Sequence, residues 1–235
     1  MAVEIDAILS PVGVPSCNDV YFARDIHDTT WILKFAPTQN LFADTLGLLL
    51  AKEMGIPAPE VHAANIRPKD IPDECSHNRA IAIALVEPAS HSALEEWNHL
   101  QNQEVLGQVL ALDVILAVAG RHAENLLIQF DEQGASRLVV IDFDNAEIAI
   151  PCPMLEDNHR IVEGPSIKRP HDRSVEIAAI AMATRFESLS DVKINDITKV
   201  SAEQSGIEVG YQATTELLRE RCRIATELVR RSLNQ

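Results

Sequence analysis

The chain has 235 residues, with 20 Lys and Arg against 35 Asp and Glu and a formal net charge of −15. Hydrophobic residues at 46% and charged residues at 23% exclude a mostly disordered chain and supply the apolar surface for a sizeable core. The acidity argues against a nucleic-acid binder, which needs a basic face for phosphates, yet leaves a nucleotide ligand open, because one lysine and a metal ion reverse the sign locally.

The N-terminus, MAVEIDAILSPVG, carries Glu4 and Asp6 where a secretory signal carries Lys or Arg. No apolar run approaches the roughly 18 residues that a membrane helix needs. Both features predict a cytoplasmic protein. Residues 20–25 (VYFARD) and 31–35 (WILKF) read as antiparallel strands joined through a polar turn at His27-Asp28. Residues 41–54 read as a helix with Phe42, Leu46, Leu49 and Leu50 on one face. Gly55 stops it, and Pro57 and Pro59 keep it from continuing. Residues 60–66 and 80–86 read as two further strands around a polar, proline-containing loop.

After residue 92 the pattern becomes mainly helical. Residues 103–119 are the most apolar helix in the chain, and 126–130 and 137–141 read as a second hairpin looping through Gly134. Residues 151–173, with Pro151, Pro153, Pro165 and Pro170, read as a long loop. Asp172 can cap a helix over 174–186, and a last helix covers 211–233 through Leu217, Ile224, Leu228 and Val229. There is no internal repeat. A boundary near Glu87-Pro88 divides 1–87 from 88–235, an α+β, two-lobe layout.

Cys17, Cys75, Cys152 and Cys222 are scattered without a CxxC, so reduced thiols are expected rather than a zinc site or a disulfide framework. Eight histidines show neither HxxxH nor HExxH spacing. The chemistry gathers instead at Lys34 on a strand, Asn125 after RHAE, and Asp142 closing the strand RLVVI. Asn125 and Asp142 are 17 positions apart, and a hairpin between them brings both side chains to one end. Two oxygen donors there suit a hard cation such as Mg²⁺, which completes its shell with water and phosphate. A lysine from the other lobe then holds the phosphates. These are the parts of phosphoryl transfer, in which positioning and charge neutralisation do most of the catalysis.

GRHAENLLI followed by RLVVIDFDNA resembles the catalytic and metal-binding loops of HipA-like and phosphatidylinositol 3-/4-kinase-like kinases. Those usually read D-R-H-x-x-N and then a strand ending in Asp. The aminoglycoside-phosphotransferase type is a more distant likeness. CNDVYFARDIHDTTWILKF resembles the phosphate-covering hairpin with its strand lysine. LFADTLGLLLAKEMGIPAPEV resembles the helix that carries the acidic partner of that lysine and ends in a G-[IL]-P-x-P-E signature. The likeness spans about residues 12–146, whereas 147–235 match only in being helical.

This resemblance implies a protein-kinase-like fold, with a small β-rich N-lobe over 1–87, a mainly helical C-lobe over 88–235, and ATP and Mg²⁺ as cofactors. It implies that Lys34 contacts the nucleotide phosphates and that Asp44, one methylene shorter than the usual Glu, pairs with it. Leu85, Val86 and Glu87 fall where backbone groups meet the adenine. His122 braces the catalytic loop, Asn125 and Asp142 bind Mg²⁺, and Asp113 is structural.

Two departures stand out. Gly120 occupies the position of the family's catalytic Asp, five residues before Asn125, and has no side chain to orient an acceptor hydroxyl. A positioned general base typically contributes about 10²–10⁴-fold. The phosphate-covering loop keeps Gly13 but reads PSCND where small, flexible residues are usual. Asp144, two residues after Asp142, is either a substitute acid or base or an ordinary turn residue. Three readings follow: an impaired, pseudokinase-like protein that binds ATP and Mg²⁺ and acts through a protein partner; an active atypical kinase transferring the γ-phosphate of ATP to a protein Ser or Thr hydroxyl; and a nucleotide-free adaptor.

Overall fold

A computed structural model describes residues 2–13, 18–87, 89–91, 102–119, 121, 123–133, 136–149 and 173–234. The expectations for Gly120, His122, Gly134, Asp172, the loop 151–172 and most of the PSCND segment lie outside them. The architecture is α+β, with strands gathered in the N-terminal part and helices in the C-terminal part.

Five strands, β1 (Val3–Pro11), β2 (Asp19–Asp25), β3 (Thr30–Phe35), β4 (Val61–Asn65) and β5 (Ala80–Ala84), close into a barrel in the order β1-β2-β3-β5-β4. All neighbours are antiparallel except β1 and β4, which run parallel and pair Val3 with Ala64 and Glu4 with Asn65. Strand alternation sends every second side chain inward. Tyr21 and Ala23, Leu33 and Phe35, and Ala80 and Ala82 therefore fill the barrel with Ile5. The β2–β3 turn falls at the expected place. Asp25 Oδ1 accepts the backbone N–H groups of His27 and Thr29, its Oδ2 accepts Trp31 Nε1–H, and Asp28 takes a φ of 65°.

Helix α1 (Thr38–Glu53) leaves β3 through Pro37 and stops at Gly55, which adopts a φ of +71° where a side chain is disfavoured. Helix α2 (Glu104–Leu116) buries eleven of its thirteen residues, so it forms the interior of the C-terminal part. Against it pack α3 (Arg173–Glu187), α5 (Tyr211–Arg223) and α6 (Ala225–Leu233), while α4 (Asp191–Ser205) packs on α1 and α5, and all share one apolar core. A small sheet, β6 (Ala89–His91), β7 (Leu126–Phe130) and β8 (Ser136–Val140), lies beside them. Three backbone groups along the outer edge of β8 are taken. Asn102 mimics a strand by accepting Leu138 N–H and donating to Leu138 C=O, and the Val140 N–H is taken by the Pro57 carbonyl.

Strands β1 and β6 and helix α4 are not among the expected elements, and two of the expected helices differ in extent. Strand β1 lacks a clean alternation because its pairing with β2 shifts register twice. The apolar run from 103 ends as helix at Leu116, since Ala117 turns left-handed (φ 54°) and Val118 bridges to Ala146. Helix α4 reads as polar; it is held by Ile194, Ile197 and Ala202 on one face and capped by Ser190, whose hydroxyl accepts Lys193 N–H. The single helix expected over 211–233 is two, broken at Ile224 (φ −114°, ψ 21°). Cys75 and Cys222 are free thiols. No helix among the described residues is long and apolar enough to cross a membrane.

Candidate functional site

Three segments far apart in sequence meet at one ammonium. Lys34 on β3 has the opposite facing to the barrel residues Leu33 and Phe35, and it is only 6% exposed. Its Nζ lies 2.6 Å from Asp44 Oδ2, 2.8 Å from Asp142 Oδ1 and 3.0 Å from Asp144 Oδ2. Asp44 comes from the buried face of α1; Asp142 and Asp144 come from the segment that follows β8. The other Asp44 oxygen, Oδ1, accepts the Phe143 N–H at 2.6 Å. Asn125, at the entry to β7, donates from Nδ2 to Asp142 Oδ2 at 2.9 Å. Asp144 Oδ2 also accepts Asn18 Nδ2 at 2.7 Å, which ties the start of β2 to the same cluster.

The electrostatics follow from burial. Taking Lys34 out of water works against its charged form, but the carboxylates of Asp44, Asp142 and Asp144 outweigh that and hold its pKa above the ordinary lysine value. Asp44 is pushed up to about 6, because its complete burial and the neighbouring acids outweigh the pull of Lys34. For Asp142 burial pushes upward too, yet Lys34 and Arg121 win and hold its carboxyl below the usual carboxylate range. Lys34, Asp44, Asn125 and Asp142, selected from the sequence, are thus brought together.

Two further residues belong here that sequence reasoning left open or missed. Asp144, left open as a substitute acid or base or a turn residue, does lie in a turn and is buried against Lys34 and Asn18. Arg121 is 1% exposed and braces the loop from beneath. Its Nε and Nη2 reach Asp113 at 3.1 and 2.9 Å, and its Nη1 donates to the carbonyls of Ile141 at 2.6 Å and Asp142 at 2.7 Å. The guanidinium also lies over the Phe143 ring, 4.5 Å from its centroid. This grip matters because Asp142 sits at a φ of 60°, a strained conformation for a residue with a side chain. Asp113, read as structural, is the buried counter-charge of Arg121. The signal for Arg121 was its place inside the RHAEN stretch.

No protein-family model matches the sequence, and no curated protein matches it. Solved structures do. The proinflammatory kinase CtkA of Helicobacter pylori matches with a TM-score of 0.61 at 12% identity, over 97% of this chain and 96% of that one. HipA of the Shewanella oneidensis toxin–antitoxin system, in complex with HipB and operator DNA, matches at 0.53 and 10% identity, over 96% of this chain and 68% of that one. The Golgi casein kinase with Mn and ADP bound matches at 0.52 and 8% identity, over 97% and 73%. The chain has a protein-kinase-like fold.

In this kinase-like fold the barrel and α1 come from the N-terminal part, the other helices and the small sheet from the C-terminal part, and Lys34 of the first meets Asp142 of the second. One carboxylate oxygen from each of Asp44, Asp142 and Asp144 lies within 4.8 Å of the others. An all-oxygen donor set fits a hard divalent cation such as Mg²⁺ or Mn²⁺. Asp142, with a side chain 34% exposed, is the reachable member, whereas Asp44 is committed to Lys34 and the Phe143 N–H. Leu85 and Val86 are half-buried after β5 and Glu87 is exposed, its carbonyl accepting Gln129 Nε2 at 3.4 Å. Among the described residues no hydrogen bond joins these three to the Lys34 cluster.

Proposed function

We propose that the chain binds ATP with Mg²⁺ between its two lobes and transfers phosphate poorly, acting through a protein partner that senses the nucleotide-bound form. Lys34 holds the phosphates, Asn125 and Asp142 hold the metal, Asp44 positions Lys34, and Leu85 to Glu87 offer backbone groups to the adenine. The observation that carries the nucleotide part is the convergence of Lys34, Asn125 and Asp142 on one point. The impairment rests on the sequence alone, on Gly120 where a hydroxyl-orienting carboxylate is expected.

A second reading, an active atypical kinase acting on protein Ser or Thr hydroxyls, draws support from the complete set of Lys34, Asp44, Asn125 and Asp142. A loose, dissociative transition state does not require a strongly activated nucleophile.

Calorimetric titration with ATP tests the first part. At net −15, ATP is expected to bind poorly without a divalent ion, since only local cations offset the repulsion. Asp142→Asn is expected to weaken the Mg²⁺-dependent binding far more than Asp131→Asn in the exposed β7–β8 loop. Equal affinity with and without Mg²⁺ ends the metal assignment, and no binding in either condition leaves an adaptor. Phosphotransfer from labelled ATP tests the second part. Gly120→Asp is expected to raise the rate by roughly 10²-fold, the lower end of the general-base effect, while Gly120→Ala leaves it unchanged. Robust phosphorylation by the unmodified chain, lost in Asp142→Ala, replaces the impaired reading with the active one.

A further inference from the structure

Asp44 and Gly47 stand three residues apart on α1 and share one of its faces. That face meets Phe143, the residue between Asp142 and Asp144. Both Asp44 oxygens are committed at short range, Oδ1 to the Phe143 N–H and Oδ2 to Lys34 Nζ, each at 2.6 Å. The Phe143 contact, at the short end of the hydrogen-bond range, means that α1 stands close to the segment. Gly47 is what permits the approach. A Cβ added there would come within 2.6 Å of Phe143 Cβ and Cδ2, nearer than real Cβ atoms stand to their neighbours. The ring has no room to yield, because Phe143 is fully buried and lies against the Arg121 guanidinium. Glycine inside a helix is also about 0.8–1.0 kcal/mol worse than alanine, so its presence at the middle of α1 calls for a compensating reason.

We infer that Asp44 and Gly47 are a matched pair: a short acid and an absent side chain together set the gap between α1 and the Asp142–Asp144 segment. Gly47 is then a positioning residue, acting on Lys34 and Asp142 through Asp44 and Phe143. Its consequence for ligand binding rests on the nucleotide reading above; the matching itself is a statement about packing. With a side chain at 47 the helix is held off, and the acid at 44 must be one methylene longer to span the wider gap. With glycine at 47, a longer acid at 44 is too long for both of its partners.

The test is a cycle of Gly47→Ala, Asp44→Glu and the double variant, read by thermal melting and by Mg²⁺-dependent ATP binding. Each single change is expected to lower the melting midpoint and weaken ATP binding roughly tenfold, with the double variant regaining most of both, as coupled neighbours do. A double variant worse than either single, or an Asp44→Glu variant that melts and binds like the unmodified chain, overturns the pairing. If Gly47→Ala does not fold, a folded double variant supports the pairing, and an unfolded one beside a folded Asp44→Glu overturns it. Rescue of melting in a chain that binds no ATP with Mg²⁺ upholds the pairing and defeats the nucleotide reading alone.

Discussion

Lys34→Met is expected to cost about 3–5 kcal/mol of folding stability, the usual consequence of removing one partner from a buried ion pair. Asp44, Asp142 and Asp144 all face its ammonium, and Asp44 and Asp144 are 1% and 8% exposed, so deletion strands two acids in the interior. The loss has a signed pH dependence. In the folded chain Asp44 is already pushed up to about 6, and a carboxyl raised on folding contributes stability at low pH that disappears as pH rises through the folded value. Without the lysine it rises further. Asp142 is lowered in the intact protein, so it contributes stability at neutral pH that fades on acidification, and that contribution vanishes with Lys34. Both effects act in one direction. The deficit should be widest near neutral pH and shrink below pH 6, measured by urea unfolding of both proteins across that interval. A deficit that does not change with pH contradicts this account of the cluster.

The second large loss is expected from Arg121→Met, again about 3–5 kcal/mol, because it leaves the Asp113 carboxylate buried opposite an apolar chain. It also removes the donor that serves the carbonyls of Ile141 and Asp142. Arg121→Lys is a poor substitute, since one ammonium cannot reproduce the planar fork that engages Asp113 and two carbonyls together. Arg121→Met combined with Asp113→Leu should recover much of the stability, as replacing a whole buried pair costs far less than splitting it. Because the same guanidinium secures Asp142 at its left-handed backbone angle, the double variant should still bind Mg²⁺ and ATP poorly. Recovery of both stability and binding would mean that the loop holds its shape without Arg121. Chemical denaturation and calorimetry on the same samples separate the two effects.

Lys34, Asn125 and Asp142 were legible in the sequence because each is a chemistry-bearing residue on or beside a strongly patterned element, and Asp44 only through the likeness of its helix to the one that carries the lysine's acidic partner. The apolar runs of β3, α1, β7 and β8 locate those elements, and short connections leave few ways to arrange them. Arg121 was not legible, because its role depends on Asp113 and on carbonyls 20 and 21 positions downstream. Asp144 was left open for a related reason: its burial comes from Lys34 and Asn18, 110 and 126 positions away. The missed elements were those whose pattern is interrupted. Register shifts blur the alternation of β1, and α4 spends only a narrow stripe on the core. The break at Ile224 falls inside an unbroken helical spacing, so no residue there announces it.

The closed barrel and the partly capped outer edge of β8 constrain how another macromolecule can attach. Strand addition, in which an extended peptide extends a sheet by borrowing unpaired backbone amides, needs an open edge. In the barrel β1 and β4 close the ring by pairing Val3 with Ala64 and Glu4 with Asn65, and along β8 the Leu138 N–H and C=O and the Val140 N–H are already spent on Asn102 and Pro57. A macromolecule meeting these groups would engage side chains rather than backbone, and at −15 a basic complementary surface would be favoured. Such an association forms faster at low ionic strength and slows as salt is added.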